Sequence, residues 1–416
     1  MAALKKRHVA AAVIGNALEF YDFTTYGYFA LQIGRTFFPA HDPFVSLMIT
    51  LMTFGAGFIM RPVGAFVIGR YADRIGRKPA MIFSFTMMGG GVLALALTPS
   101  YATIGIAAPI IVVLIRLVQG FALGGDVGPT TAFLLEAAPI EKRGFYGALQ
   151  FSSQGISTLL AGIAGVVLAH FLTPSQLDHF GWRIAFALGA LIVPIGLAMR
   201  RSLPETLPDI KPSQPAPSVN HVGRIVVLGL LLIMGGTTGV YTLNYMATYA
   251  QTTLHLSAGV AFASTVTFGI VSVVFPLIAG LLSDHYGRRP ATIWPRLGMM
   301  LAAYPAFLAL TLWPNAFSLI CATAALGALT QSAGAVNLVA ITEALPPQIR
   351  STTTAAIYAV GVALFGGTTQ PIVASLIHAS GNPLAPAWYL AGTSLIALIA
   401  AVLMRETAPV KTGHAL

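Results

Sequence analysis

The chain has 416 residues, of which 56% are hydrophobic and only 9% charged. A soluble protein carries about 25% charged residues, so the composition excludes a soluble two-domain protein and indicates an integral membrane protein. The formal charge of +10 would suit a nucleic-acid surface, but the positions of the basic residues point elsewhere.

Apolar runs of the roughly 20 residues that a membrane-crossing helix requires recur from end to end. They predict an all-α protein with twelve spans, at 9–34, 44–69, 79–98, 106–138, 145–171, 182–201, 224–250, 259–283, 291–312, 316–343, 352–378 and 385–404. Of the 23 Lys and Arg residues, 19 fall in the terminal segments or in alternate loops, and only Arg35 and Arg183 fall on the opposite side. By the positive-inside rule both termini are expected in the cytoplasm. The basic excess is then topology, and no nucleic-acid partner is expected. The start of the chain imitates a signal peptide, but Asn16, Glu19 and Asp22 interrupt its apolar stretch, so a retained first helix is expected. The single cysteine, Cys321, has no partner for an internal disulfide and is expected to pack.

In the first predicted helix Asn16, Glu19, Asp22 and Tyr26 share one stripe. Two acids facing lipid would cost about 2.5–3.5 kcal/mol each, so the stripe is expected to face the bundle interior. The second helix carries Arg61. Counted from the helix ends at about 1.5 Å per residue, Arg61 and Glu19 lie at similar depths, roughly 12 and 15 Å, so a possible Arg61–Glu19 ion pair is expected. In the fourth helix, Arg116-Leu117-Val118-Gln119-Gly120 places a guanidinium inside the bundle. Its planar fork suits a carboxylate, which an organic-anion site requires. Asp126 lies ten residues beyond Arg116, beside Gly124 and Gly125, where a desolvated acid is a candidate to take up and release a proton. Glu136 follows at the rim, ahead of Lys142 and Arg143. The fifth helix adds Gln150, Ser153 and Gln154 on one polar face.

Five prolines between Pro204 and Pro217 mark 202–223 as a linker. It divides a six-helix half at 1–201 from a second at 224–416. The second half supplies hydroxyls and amides: Tyr241, Asn244 and Tyr245, then Gln331 and Asn337, then Tyr358 and Phe365-Gly366-Gly367-Thr368-Thr369-Gln370-Pro371. Arg296 and Glu343 are read as helix-end residues, so no deep charge is expected in this half.

The two halves repeat. Gly69-Arg70-Tyr71-Ala72-Asp73-Arg74-Ile75-Gly76-Arg77-Lys78 recurs as Gly280-Leu281-Leu282-Ser283-Asp284-His285-Tyr286-Gly287-Arg288-Arg289. The offset from Asp73 to Asp284 is 211, and Glu136 with Arg143 recurs as Glu343 with Arg350 at an offset of 207. This duplicated loop resembles the signature of the major facilitator superfamily. Gly15-Asn16-x-x-Glu19-x-x-Asp22, Met60-Arg61-Pro62, Arg116-x-x-Gln119-Gly120 and Leu135-Glu136-Ala137-Ala138-Pro139 are similar to its metabolite:proton symporter family. Phe145-Tyr146 with Gln150, and Phe365-Gly366-Gly367-Thr368, are most similar to the citrate and tricarballylate branch.

The resemblance implies a multi-pass protein of a bacterial inner membrane, working as a monomer and coupling uptake of a small organic anion to protons, with no other cofactor. It associates Arg116 with proton coupling or substrate binding. With the residue reading, it suggests a substrate site of Arg116, Asn16, Tyr26, Gln150, Gln154, Tyr241, Asn244, Tyr245 and Gln331. Asp22, Glu19 and Asp126 are the expected proton carriers. Asp73, Arg74, Arg77, Glu136, Asp284, Arg288 and Glu343 form the expected conformational gate. Two departures stand out: Asp126 occupies a position where many relatives have glutamate, and Gln370 adds an amide beside the Pro371 of helix 11. Competing readings are a 2-oxoglutarate, shikimate or betaine symporter, a drug:proton antiporter, a transporter-like sensor and a membrane enzyme. Two internal arginines disfavour cationic drugs, and the absence of a His-x4-Asp sequence disfavours an acyltransferase.

Overall fold

The structure, a computed structural model, describes residues 6–124, 131, 134, 138–201, 219–346 and 349–413. Asp126 and Glu136, expected in the site and the gate, lie outside the described residues. The side chains of Asp73 and Arg77 do so as well.

Among the described residues, twelve long helices make up the fold. The first half holds α1 (Lys6–Tyr28), α2 (Pro43–Ile75), α3 (Arg77–Leu97), α4 (Ala107–Gly124), α5 (Arg143–Phe171) and α6 (Trp182–Arg201). The second holds α7 (Val219–Thr252), α8 (Ala258–Tyr286), α9 (Arg288–Leu312), α10 (Ala316–Ala344), α11 (Arg350–Ser380, with a π-helical turn at Val362–Gly366) and α12 (Ala385–Leu403). Among the described residues, eleven helices are long and apolar enough to cross a membrane. The twelfth is α1, whose hydropathy is lowered by Asn16, Glu19 and Asp22. These three are buried, as their desolvation cost demands.

Several boundaries differ from expectation. The first span breaks at Phe29, and the chain continues as a short helix, Ala30–Phe37. Helix α7 begins at Val219, so residues 219–223 belong to a helix rather than to the expected linker. Cys321 is exposed on α10 instead of packed.

Lipid tails are as apolar as leucine, so helices in a bilayer associate through close packing at small residues. Between α2 and α4 this reaches backbone contact. A Cβ on Gly120 would fall 1.7 Å from the Gly57 carbonyl oxygen, and one on Gly64 would fall 1.9 Å from that of Phe121. Side chains larger than hydrogen are excluded there. Arg61, between Gly57 and Gly64, and Arg116, one turn before Gly120, are brought together as a result. Helices α5 and α8 form a similar seam between the halves: a Cβ on Gly269 would lie 2.4 Å from Leu159 Cα.

Candidate functional site

Arg61 and Arg116 occupy one aromatic box. The Arg116 guanidinium lies over the rings of Tyr26, Phe23 and Phe54, at 4.5, 4.7 and 5.4 Å from their centroids. Arg61 lies over Phe58 and the same Phe23, at 4.1 and 4.4 Å. Tyr241, from the second half, closes the box edge-on against Phe58 and Phe54 at 5.1 and 6.0 Å. Arg116 is fully buried and Arg61 is 2% exposed. Nε and Nη2 of both have no hydrogen-bond partner among the described residues. Aromatic faces hold a cation by about 0.5–2 kcal/mol. A charge-assisted fork on a carboxylate is the stronger partner, so both arginines keep binding capacity for an anion.

Asp22 is tied into this box indirectly. Arg116 Nη1 donates to Gln119 Oε1 at 2.8 Å, and Gln119 Nε2 donates to Asp22 Oδ2 at 2.5 Å. The other Asp22 oxygen has no hydrogen-bond partner among the described residues. Asp22 and Glu19 line a cleft of about 10 Å³ with Met88 and Val92 of α3 and Gly189 and Val193 of α6. The two buried acids of α1 are thus neighbours behind the arginines. The Arg61 guanidinium is turned to Phe23 and Phe58, faces that similar depth alone could not reveal.

The remaining expected substrate residues do not all converge. Asn16 and Gln150 bind each other: Gln150 Nε2 donates to Asn16 Oδ1 at 3.2 Å, and Asn16 Nδ2 donates to Ser153 Oγ at 2.6 Å. That node fastens α1 to α5. Asn244 accepts from Tyr28 O–H at 2.6 Å, a bond across the halves. Gln331 donates to Ser272 Oγ at 2.5 Å, within the second half. Gln154 lines a central cavity of about 40 Å³ with Tyr241, Asn337 and Tyr358. Tyr245 lines a larger cavity of about 750 Å³ at the end of the bundle that bears Arg35 and His255. Leu31, Tyr245 and Ala374 line this cavity, and Gly27, Tyr241 and Gln370 lie four residues inward of them.

At the other end of the bundle the halves are clamped. Asp284 accepts from the backbone N–H of Gly144 and Phe145 at 2.7 and 2.9 Å, so an acid of α8 caps the start of α5. Arg288 donates to Asp284 at 2.7 Å and makes a two-pronged bond to Glu343, 3.0 Å in each arm. Glu406 accepts from the N–H groups of Arg288 and Arg289 at 2.8 and 3.0 Å and caps α9. Arg74, expected in the equivalent cluster of the first half, is exposed.

Two residues escaped the sequence reading of the site, Gln119 in its role and Arg296 in its place. Gln119 was legible as part of a motif but not as the link between Arg116 and Asp22. Arg296 is not a rim residue: it is 1% exposed and donates to the Gly235 carbonyl at 2.6 Å. Its reach follows from Gly235 and Gly236, whose missing side chains leave room on α7. Gln370, noted in the sequence as an added amide, is fully buried, and neither amide atom has a hydrogen-bond partner among the described residues.

The Major Facilitator Superfamily model matches residues 12–271, and the sugar (and other) transporter model matches residues 216–413. The chain is 35% identical to a citrate-proton symporter of Salmonella typhi, over 94% of this chain and 92% of that protein. It is 33% identical to the alpha-ketoglutarate permease of Escherichia coli (96% and 93% covered) and 32% identical to the proline/betaine transporter of the same organism (97% and 84% covered). Its fold matches the xylose transporter XylE of E. coli with a TM-score of 0.76 at 17% identity, over 96% of this chain and 98% of that one. With twelve helices in this arrangement and family matches that together span the chain, the protein belongs to the Major Facilitator Superfamily of membrane transporters, and it is not an enzyme.

Proposed function

We propose that the protein is a secondary transporter that carries a di- or tricarboxylate together with protons by alternating access. The observation that carries this reading is the pair of buried arginines, each with unpartnered N–H groups over aromatic faces, one of them joined through Gln119 to a buried acid. An anion entering the box trades ring contacts for ionic hydrogen bonds. A proton on Asp22 removes the negative charge that competes for Arg116. Anion and proton therefore favour each other's binding, and by linkage the effect is reciprocal. That is the thermodynamic content of symport. The citrate-proton symporter relatives support citrate-like substrates. Glu19 and, by its sequence position, Asp126 are further proton carriers in this reading.

The Asp284–Arg288–Glu343 clamp belongs to the cytoplasmic end, with Asp73, Arg74, Arg77 and Glu136 as its counterpart in the first half. The 750 Å³ cavity then opens outward and delivers substrate to the box. The protein works as a monomer in a bacterial inner membrane with both termini cytoplasmic, and it requires no cofactor beyond protons.

A zwitterion such as betaine is a second reading, because the aromatic box has the faces that a quaternary ammonium uses. The guanidinium groups already cover those faces, which favours the anion. One panel separates the two. Ligands that bind the folded state raise its apparent stability, so thermal unfolding of detergent-purified protein is followed with citrate, tricarballylate, 2-oxoglutarate, succinate, shikimate and betaine. Stabilisation by a carboxylate, absent in Arg116→Lys, is expected; stabilisation by betaine alone overturns the assignment.

A further inference from the structure

Gln370 is an anomalous buried side chain among the described residues. It is 0% exposed, and neither Oε1 nor Nε2 has a hydrogen-bond partner among the described residues. A buried amide without partners is costly, and a purely structural residue at this position would be apolar or bonded. Its surroundings are specific. Nε2 lies 3.7 Å from the point a Cβ on Gly27 would occupy, and the same point is 3.8 Å from the Phe54 ring. Phe54 also carries the Arg116 guanidinium on its face, at 5.4 Å. Gln370 belongs to the second half, and Gly27 and Phe54 belong to the first. The two halves meet there almost backbone to backbone: a Cβ on Gly55 would fall 2.5 Å from the Gly367 carbonyl oxygen. Gln370 is also one turn inward of Ala374, which lines the large cavity. It therefore stands one turn from the cavity lining and beside a ring that carries Arg116, between the cavity and the arginine box.

We propose that Gln370 contacts the substrate and selects it by a hydroxyl group. The carboxylates of the substrate go to the arginines. What the amide adds is a donor and an acceptor side by side, both free, and an alcohol beside a carboxylate is the group that uses both. The Oε1 atom accepts from the hydroxyl, and Nε2 donates to the hydroxyl or carboxylate oxygen. The inference rests on the carboxylate reading and narrows it to hydroxycarboxylates.

Citrate and tricarballylate differ by that one hydroxyl, so they form the test pair. Their dissociation constants are measured by calorimetry on the full-length detergent-purified protein, in the wild type, Gln370→Leu and Gln370→Met. The wild type is expected to prefer citrate by about tenfold or more, the equivalent of one good hydrogen bond. Both variants are expected to bind the two compounds equally, through loss of citrate affinity. Ligand-free unfolding temperature in the variants is expected to equal or exceed that of wild type, because an unbonded amide has been removed. A structural role predicts the opposite shift and no change in the citrate to tricarballylate ratio, and either result overturns the proposal. A wild type that does not distinguish the two compounds overturns it even if both variants fail to fold. If neither tricarboxylate binds wild type, the carboxylate reading fails and this inference falls with it; if both bind and require Arg116 but the ratio ignores Gln370, this inference alone fails.

Discussion

Asp22 and Arg116 communicate through one side chain: the Gln119 amide accepts from Arg116 at 2.8 Å and donates to Asp22 at 2.5 Å. An amide in this position keeps the acid and the guanidinium apart, and each retains a free edge. Gln119→Glu puts a carboxylate of the same shape against Arg116 and occupies the fork internally. Affinity for a dicarboxylate is expected to fall by about tenfold or more, equivalent to 1.4 kcal/mol, and to recover partly at lower pH as the new acid protonates. Calorimetric titration at two pH values measures it; unchanged affinity separates Arg116 from the anion site.

Asp22→Asn retains the shape and removes the titrating group. Substrate-induced proton uptake, followed with a pH indicator in weakly buffered detergent solution, is expected to disappear while substrate binding persists. Proton uptake at the wild-type level assigns coupling to another acid.

Asp284→Asn weakens the clamp at the α5 start, because a neutral amide can accept only one of the two N–H bonds well and loses the Arg288 pairing. Capping interactions contribute about 0.5–2 kcal/mol, so opening at this end is expected to become roughly tenfold more frequent. Hydrogen exchange at the Gly144 and Phe145 amides reads this directly. Protection equal to wild type shows that the clamp carries none of the closure.

Gly120→Ala forces a methyl to within 1.7 Å of the Gly57 carbonyl oxygen. Helices α2 and α4 must separate, at a cost of about 1–3 kcal/mol or more, and the two arginines move apart with them. Lower folded yield and unfolding temperature are expected. Gly90→Ala, where nothing lies within 4 Å, is the control and is expected to be neutral or slightly stabilising through helix propensity. Equal behaviour of the two variants contradicts the backbone-contact account.

The sequence made depth and period legible but not helix rotation. Asn16, Glu19 and Asp22 had to face inward because lipid would not accept them, and they do. The Asp284, Arg288 and Glu343 cluster was likewise visible from its repeat in the chain. Gln150 and Gln154 looked equivalent, one turn apart on one face, yet Gln150 is bonded to Asn16 and Gln154 lines the central cavity. The difference comes from how α5 sits against α1, α8 and α10, which no local pattern encodes. Arg296 was placed at a helix end by its distance from the loop; the space left by Gly235 and Gly236 draws it inside. The aromatic faces that hold Arg61 and Arg116 come from two helices of the first half, with Tyr241 arriving from the second, so the box exists only once the chain has folded.

The most direct test of proton-driven carboxylate transport through Arg116 is uptake of labelled citrate into proteoliposomes under an imposed pH gradient, acid outside. The account predicts saturable accumulation in the wild type, its collapse by a protonophore, and none in Arg116→Lys that elutes as folded protein. Uptake that ignores the gradient, or an Arg116→Lys variant that accumulates citrate like the wild type, would contradict it.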